Sequence, residues 1–310
     1  MAKVKDSVWL IFGKATKLYF ANIISFLKYM TFPVLGQFFG LLIVFGALFL
    51  YADNLPKFLV KNSVFDNFSM IFIILLIVIL PGFLLFAKAF WDYLVAYGAV
   101  NSMLDGLMKS GKVYDFPAHT EVITRKSGKY IFLWALIGLL SIIAYFPLFW
   151  VIGFIMFIYF ILVFQVFVYE PTKSVFGCFK KSVEIIKGNF ARTLGLCVLV
   201  GALTCFIIPD GILFLLEKAS VLKFISAPFT GWMEQLPLNE INAWFESVHI
   251  PFHFVPNGLS QKVISVVLSC MIFSYLLPLR VICWALWYKN LSVPEAQIDK
   301  NLLDRAEGKK

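Results

Sequence analysis

The sequence predicts an all-α integral membrane protein with six transmembrane helices, and three observations carry that prediction. Hydrophobic residues make up 61% of the 310 positions and charged residues only 15%, against roughly 45–50% and 25% in soluble domains. The apolar residues fall in six runs, each near the roughly 20 residues needed to cross a hydrocarbon core of about 30 Å. The positive charge is segregated: 22 of the 27 Lys and Arg residues flank the runs on one side when the chain is threaded alternately across a membrane. By the positive-inside rule both termini are then cytoplasmic, in the plasma (inner) membrane. Topology and anionic lipid account for the net charge of +9, so no nucleic acid need be invoked.

Taken in order, the chain opens on an amphipathic stretch. Val4, Val8, Ile11, Phe12 and Ala15 fall on one helical face, with Lys3, Asp6, Lys14 and Lys17 opposite. The first span, Phe32–Tyr51, is too long for a signal-peptide core and lacks a small-residue exit, so it reads as a retained span. Its Gly36-x-x-x-Gly40 permits a close helix crossing, within the chain or in a dimer. The second span, Met70–Trp91, is interrupted by Pro81–Gly82 and is expected to continue as helix beyond the membrane. Asp115–Phe116–Pro117 then starts a second amphipathic element carrying Val122, Ile123, Arg125 and Lys126, which is expected to end at Gly128–Lys129–Tyr130. Spans three and four, Tyr130–Phe149 and Val151–Tyr169, form a tight hairpin around Pro147–Val151.

A third amphipathic helix is expected from Glu170–Pro171, since Pro is tolerated at the first helical position. Val175, Phe176, Phe179, Val183 and Ile186 line one face and Lys173, Lys180, Lys181, Glu184 and Lys187 the other, with Gly188 as the C-cap. The fifth span, Thr193–Leu216, leads to an outer segment, 217–258. There Ile241, Trp244, Phe245 and Val248 form an interfacial stripe suited to a lid or a docking surface. The sixth span, Val263–Trp287, contains Pro278.

The simplest description is three repeats of a basic interfacial helix followed by two spans, at 1–112, 113–169 and 170–290, with a cytoplasmic tail at 291–310. The whole reads as one polytopic membrane domain. Each basic helix can float on the cytoplasmic leaflet, burying its apolar side while lysines meet anionic headgroups. Lys14, Lys17, Arg125, Lys126, Lys180, Lys181 and Lys187 are the expected lipid contacts.

The stretch "KSVFGCFKKSVEIIKGNFARTLGL" resembles the helix-plus-span signature of the membrane domain attached to some glycerophosphodiester phosphodiesterases and found alone in YciC-like proteins. Ser182, Gly188, Phe190, Arg192 and Gly195 fall on matching positions, while Val183 stands in place of the usual tryptophan. "LPLRVICWALWYKN" is similar to the family's last span, with Lys289 where an acidic residue often follows the tyrosine. The resemblance implies a polytopic membrane fold without the catalytic barrel, and no catalytic residue is carried over.

Candidate chemistry is sparse. Lys88 and Asp92 share a helix face, Gln165 and Glu170 end the fourth span, and Arg280 lies about two and a half turns inside Lys289. Ionisable residues within spans are costly and suggest function. These five residues form either a structural ion-pair set or a polar pocket, with Glu170 or Asp92 as the expected partner of Arg280. Pro251 between His249 and His253 argues against a helical metal pair. No phosphate-binding loop, nucleophile elbow or dinucleotide fingerprint occurs, and no cofactor or metal is expected. Five dispersed cysteines suggest no disulfide. The expected function is non-enzymatic: binding or organising membrane lipid or partner proteins, including a second copy of the chain. Two alternatives remain, a transporter or permease subunit for a small or lipid-like substrate, and an intramembrane lipid-modifying enzyme.

Overall fold

A computed structural model describes residues 6–61 and 68–292. Val4 and Lys3 of the first stripe, and nearly all of the expected tail, lie outside the described residues. All regular structure in the described residues is helical: α1 (Val8–Ala21), α2 (Ile23–Lys61), α3 (Phe68–Ser110), α4 (Phe116–Thr124), α5 (Ser127–Tyr145), α6 (Trp150–Phe160), α7 (Val163–Tyr169), α8 (Val175–Ile186), α9 (Phe190–Gly201), α10 (Ile208–Lys218), α11 (Val221–Glu234), α12 (Leu238–Ser247), α13 (Pro256–Tyr275) and α14 (Leu277–Leu291). Six helical segments are long and apolar enough to cross a membrane, at Ile23–Leu48, Phe72–Ser110, Ser127–Ala144, Pro147–Tyr169, Phe190–Lys218 and Pro256–Leu291. Each overlaps one expected span.

The chain divides into two compact units, one comprising residues up to Val198 and from Leu277 onward, the other Leu199–Leu276. In the first unit α14 is the core element: Leu277, Val281, Ile282, Cys283 and Trp287 are all buried, so no face of this helix is left open. It packs against α1, α3, α7 and α8. Two long helices, α2 and α3, cross closely because glycines let their backbones meet. A Cβ on Gly40 would lie 2.6 Å from the Phe86 nitrogen, and one on Gly82 would lie 2.8 Å from the Gly40 oxygen. Gly36 likewise faces Ala89, so the Gly36–Gly40 pair serves a crossing inside the chain.

The short helices differ from expectation in register. α8 begins at Val175 with Ser174 as N-cap, its hydroxyl accepting from the Gly177 amide at 3.1 Å, and Glu170–Lys173 form a turn instead. Its buried side is Val175, Cys178, Ser182, Ile185 and Ile186, rotated from the expected stripe, while Phe176 is exposed. Close approach to neighbouring helices favours the small Cys178 and Ser182 over phenylalanine. Gly188, at φ +86°, does end α8, a conformation that glycine tolerates. α4 starts with Asp115 capping Ala118 as expected, but ends at Thr124 with a turn through Arg125–Lys126, leaving Gly128 inside α5.

Three spans are interrupted, but not the second, where Pro81–Gly82 lies inside the continuous α3. Between α6 and α7 the ladder breaks next to the Tyr159 carbonyl, which accepts from the buried Ser182 hydroxyl at 2.7 Å and which a regular helix would pair with residue 163. A π-helical turn occupies Ala202–Ile207. The break at Leu276 precedes Pro278, which lacks an amide hydrogen and crowds the preceding turn. In the second unit α13 packs against α10 and α11. The Asn242 side chain of α12 pairs both ways with the Phe254 backbone, at 2.8 and 3.0 Å. Trp244 and Val248 of the expected stripe are exposed, whereas Phe245 stacks edge-on to Phe254.

The glycine crossing yields a test. Gly40→Val should destabilise the protein by about 1–3 kcal/mol or more through overpacking, whereas Gly13→Ala, with open space around it, should be neutral or mildly stabilising. Thermal unfolding in detergent distinguishes the two.

Candidate functional site

Tyr93, Tyr97, Asn101 and Asp105 recur every fourth residue along α3, so they form one polar ridge on that helix. Each meets a polar group from α7 or α14, all within the first unit. Arg280 donates to the Tyr93 hydroxyl at 3.3 Å. Buried Gln165 donates to the Tyr97 hydroxyl and to the Asn101 side-chain oxygen, both at 3.3 Å, and its own carbonyl oxygen has no partner among the described residues. The Tyr169 hydroxyl donates to the Asn101 carbonyl at 2.8 Å. Lys289 pairs with Asp105 and sits 5.0 Å over the Tyr169 ring. Both α14 contacts advance with α3, from Tyr93–Arg280 to Asp105–Lys289, so the two helices run parallel, and α7 runs with them.

Beyond the ridge, the Tyr288 hydroxyl donates to Glu170 at 2.9 Å, and Lys173 lies 3.9 Å from the same carboxylate. Tyr288 and Tyr169 stack at 5.2 Å. A second cluster ties the start of the described chain to α14. The Asp6 amide donates to Asn290 at 2.8 Å, while Asn290 and Arg192 both donate to the Asp6 carbonyl, at 3.1 and 2.8 Å. Arg192 also lies 5.2 Å from the Trp287 ring centroid. The Trp287 indole is fully buried and donates to the Thr193 hydroxyl at 3.0 Å.

The residues singled out from sequence are therefore only partly brought together. Gln165, Glu170 and Arg280 belong to this polar region, but Glu170 is engaged by Tyr288 and Lys173. Lys88 and Asp92 pair with each other one helical turn apart. The ridge residues on α3, and Lys289 and Thr193, were not singled out, although their fourfold spacing inside an apolar run was visible. Among the basic residues, Lys14 pairs with Asp6 at 2.5 Å, Arg125 with Glu121 at 2.7 Å, and Lys181 with Glu184 at 3.4 Å. Lys17, Lys180 and Lys187 are exposed, and Lys126 is half-buried. Burial pushes the Cys178 thiol up, away from the reactive thiolate. No cluster of three His, Cys, Asp or Glu side chains suited to a metal occurs among the described residues.

No protein-family model matches this chain, and neither a curated protein nor a solved structure matches it.

Two tests follow from the geometry. Thr193→Val leaves the buried Trp287 donor without its acceptor and should cost about 1–3 kcal/mol; adding Trp287→Phe removes the orphaned donor and should cost little more, which a double-mutant thermal series reads. His119 supplies the other. Its ring nitrogen bonds the Ser102 hydroxyl at 2.9 Å, and desolvation lowers its pKa, with Asp115 opposing. The fold thus prefers neutral imidazole. Its contribution should be full above the unfolded value of about 6.5 and be lost as pH falls through the lowered folded value. His119→Gln should flatten the pH dependence of the melting temperature in that window.

Proposed function

We propose that this protein is a non-enzymatic integral membrane protein that binds and organises anionic lipid at the cytoplasmic leaflet through α1, α4 and α8. The observation that carries the reading is that α1 and α8 each have two apolar sides. α8 buries one against the protein, yet leaves Phe176 68% exposed between Lys173 and Lys180. α1 buries Ile11, Ala15 and Tyr19, yet leaves Trp9 72% exposed, with Leu10, Phe20 and Lys17 also open. A second apolar side beside lysines suits a helix lying at the headgroup level. The charge asymmetry along the sequence supports the orientation.

The packing partners support the three-repeat reading. α4 packs on α3 and α8 on α7, each short helix lying against the last helix of the repeat before it, and α1 packs on α14. Three copies of one element would close in this way. The same features fit a stand-alone membrane domain of the glycerophosphodiester phosphodiesterase-associated, YciC-like kind. An enzymatic reading gains little, because Asp92, Asp105 and Glu170 are each engaged by a cation or a tyrosine. The transport reading draws on the three interrupted spans.

Native mass spectrometry of the protein released from membranes tests the proposal. The joint variant Lys180→Gln, Lys181→Gln, Lys187→Gln should lose anionic-lipid affinity by up to about 100-fold, at roughly 1 kcal/mol per lysine. An unchanged lipid profile, or a stoichiometric protein partner retained without lipid, sinks it.

A further inference from the structure

A cleft of about 390 Å³ opens in the first unit where the start of α2 faces the α3–α4 connection, lined by Ser25, Lys28, Tyr29, Tyr114, Asp115 and Phe116. Its walls are held in place. The Asn22 side chain donates to the Gly111 carbonyl at 3.0 Å and accepts from the Val113 amide at 2.8 Å, which pins the connection to α2. Tyr29 stacks on Phe116 at 3.8 Å and bonds Thr120 at 2.8 Å. Tyr114 lies over Gly106, where any Cβ would collide with its ring, and meets His119 edge-on.

The charges of this cleft are of both signs. Lys28 and Asp115 line the same space but form no ion pair with each other or with any other described residue. One carboxylate oxygen of Asp115 caps α4, and the other bonds no described residue. A small group carrying an anion and a hydrogen-bonding cation would satisfy both charges at once.

The surface beside the cleft indicates what is attached to such a group. Lys28, Phe32 and Phe39 stand at i, i+4 and i+11 on α2, on one side of the helix. Phe32 and Phe39 are 46% and 48% exposed. A polar end with an uncovered apolar track leading away along a spanning helix has the layout of a phospholipid.

We propose that this cleft binds the phosphoethanolamine headgroup of a membrane phospholipid, Lys28 and Ser25 holding the phosphate and Asp115 the ammonium. The acyl chains lie along Phe32 and Phe39. This site rests on the lipid-binding reading above but differs from it in residues and in lipid class.

The test uses the full chain in nanodiscs containing equal phosphatidylethanolamine, phosphatidylcholine and phosphatidylglycerol, with retained lipid identified by native mass spectrometry. Wild type should retain phosphatidylethanolamine preferentially. Asp115→Asn keeps a competent helix cap and should reduce that preference about 10-fold, the loss expected for one charge-assisted hydrogen bond. Lys28→Gln should reduce retention similarly, and neither should alter phosphatidylglycerol bound through Lys180, Lys181 and Lys187. Equal retention of the three lipids, or an Asp115→Asn variant with undiminished preference, overturns the assignment. Displacement of the lipid by free phosphoethanolamine at comparable concentration would overturn the lipid source. Loss of the ethanolamine preference with retained phosphatidylglycerol leaves the broader reading standing, whereas no retained lipid of any class removes both.

Discussion

The first unit depends on hydrogen bonding between α3, α7 and α14. Inside a membrane, apolar burial gives helices little reason to associate, because lipid tails are as apolar as leucine; close packing and interhelical polar contacts must do it. The Tyr93–Tyr97–Asn101–Asp105 ridge, on the part of α3 that continues past the expected second span, supplies polar contacts of this kind where the spans end. Its partners Arg280, Gln165, Tyr169 and Lys289 come from helices far away in sequence. Model measurements put single contacts of this kind at about 0.6–2 kcal/mol. Several acting together along one ridge fix register and direction as well as association, since a one-turn slip would mismatch the buried Gln165 and Asn101 side chains.

The ridge also explains why α14 tolerates burial on every face. A helix with Trp284, Trp287 and Tyr288 in its last turns brings large area but also polar tips, and these need partners when buried. The Thr193 hydroxyl meets the Trp287 indole and Glu170 meets the Tyr288 hydroxyl. The guanidinium of Arg192 covers the Trp287 ring while holding the Asp6 carbonyl. The beginning of the described chain is thereby fastened to its last helix, which places α1 against α14. Fixing α1 in this way decides which of its faces the protein takes and which remains open.

Much of this was legible in the sequence. Six spans follow from length and hydropathy because every backbone polar group in a bilayer must be paired within the segment, which leaves helices as the only open-chain solution. The Gly188 C-cap and the Asp115–Pro117 start were legible because local stereochemistry sets them. The rotated face of α8 was not, since Phe176 and Cys178 are both apolar and only the neighbour decides which is covered. Nor was the break between α6 and α7: no Gly or Pro marks it, and the serine that bonds a carbonyl beside it lies 23 residues later. A partner for Arg280 was sought among carboxylates; the Tyr93 hydroxyl, one acceptor that it meets, carries no charge to flag it. α11 was hidden in the outer segment by Pro228, which the helix accommodates.

The distribution of ion pairs separates the lysines into two kinds. Lys289, Lys88 and Lys14 are matched to acids of the same unit, so their charge is already compensated and adds little to a field at the surface. Lys17, Lys180, Lys187 and Lys28 have no such acid among the described residues, and all four are exposed. A chain that needed only a topology signal would gain nothing from leaving apolar side chains open beside these particular cations. Phe176 lies four residues before Lys180 and Phe32 four after Lys28, so in each case one helical turn separates an uncompensated charge from an uncovered ring. On α2, which leads into a span, that turn carries the ring from the level of the lysine towards the acyl chains, whereas on α8, in the proposed headgroup-level placement, ring and lysine sit side by side at the boundary.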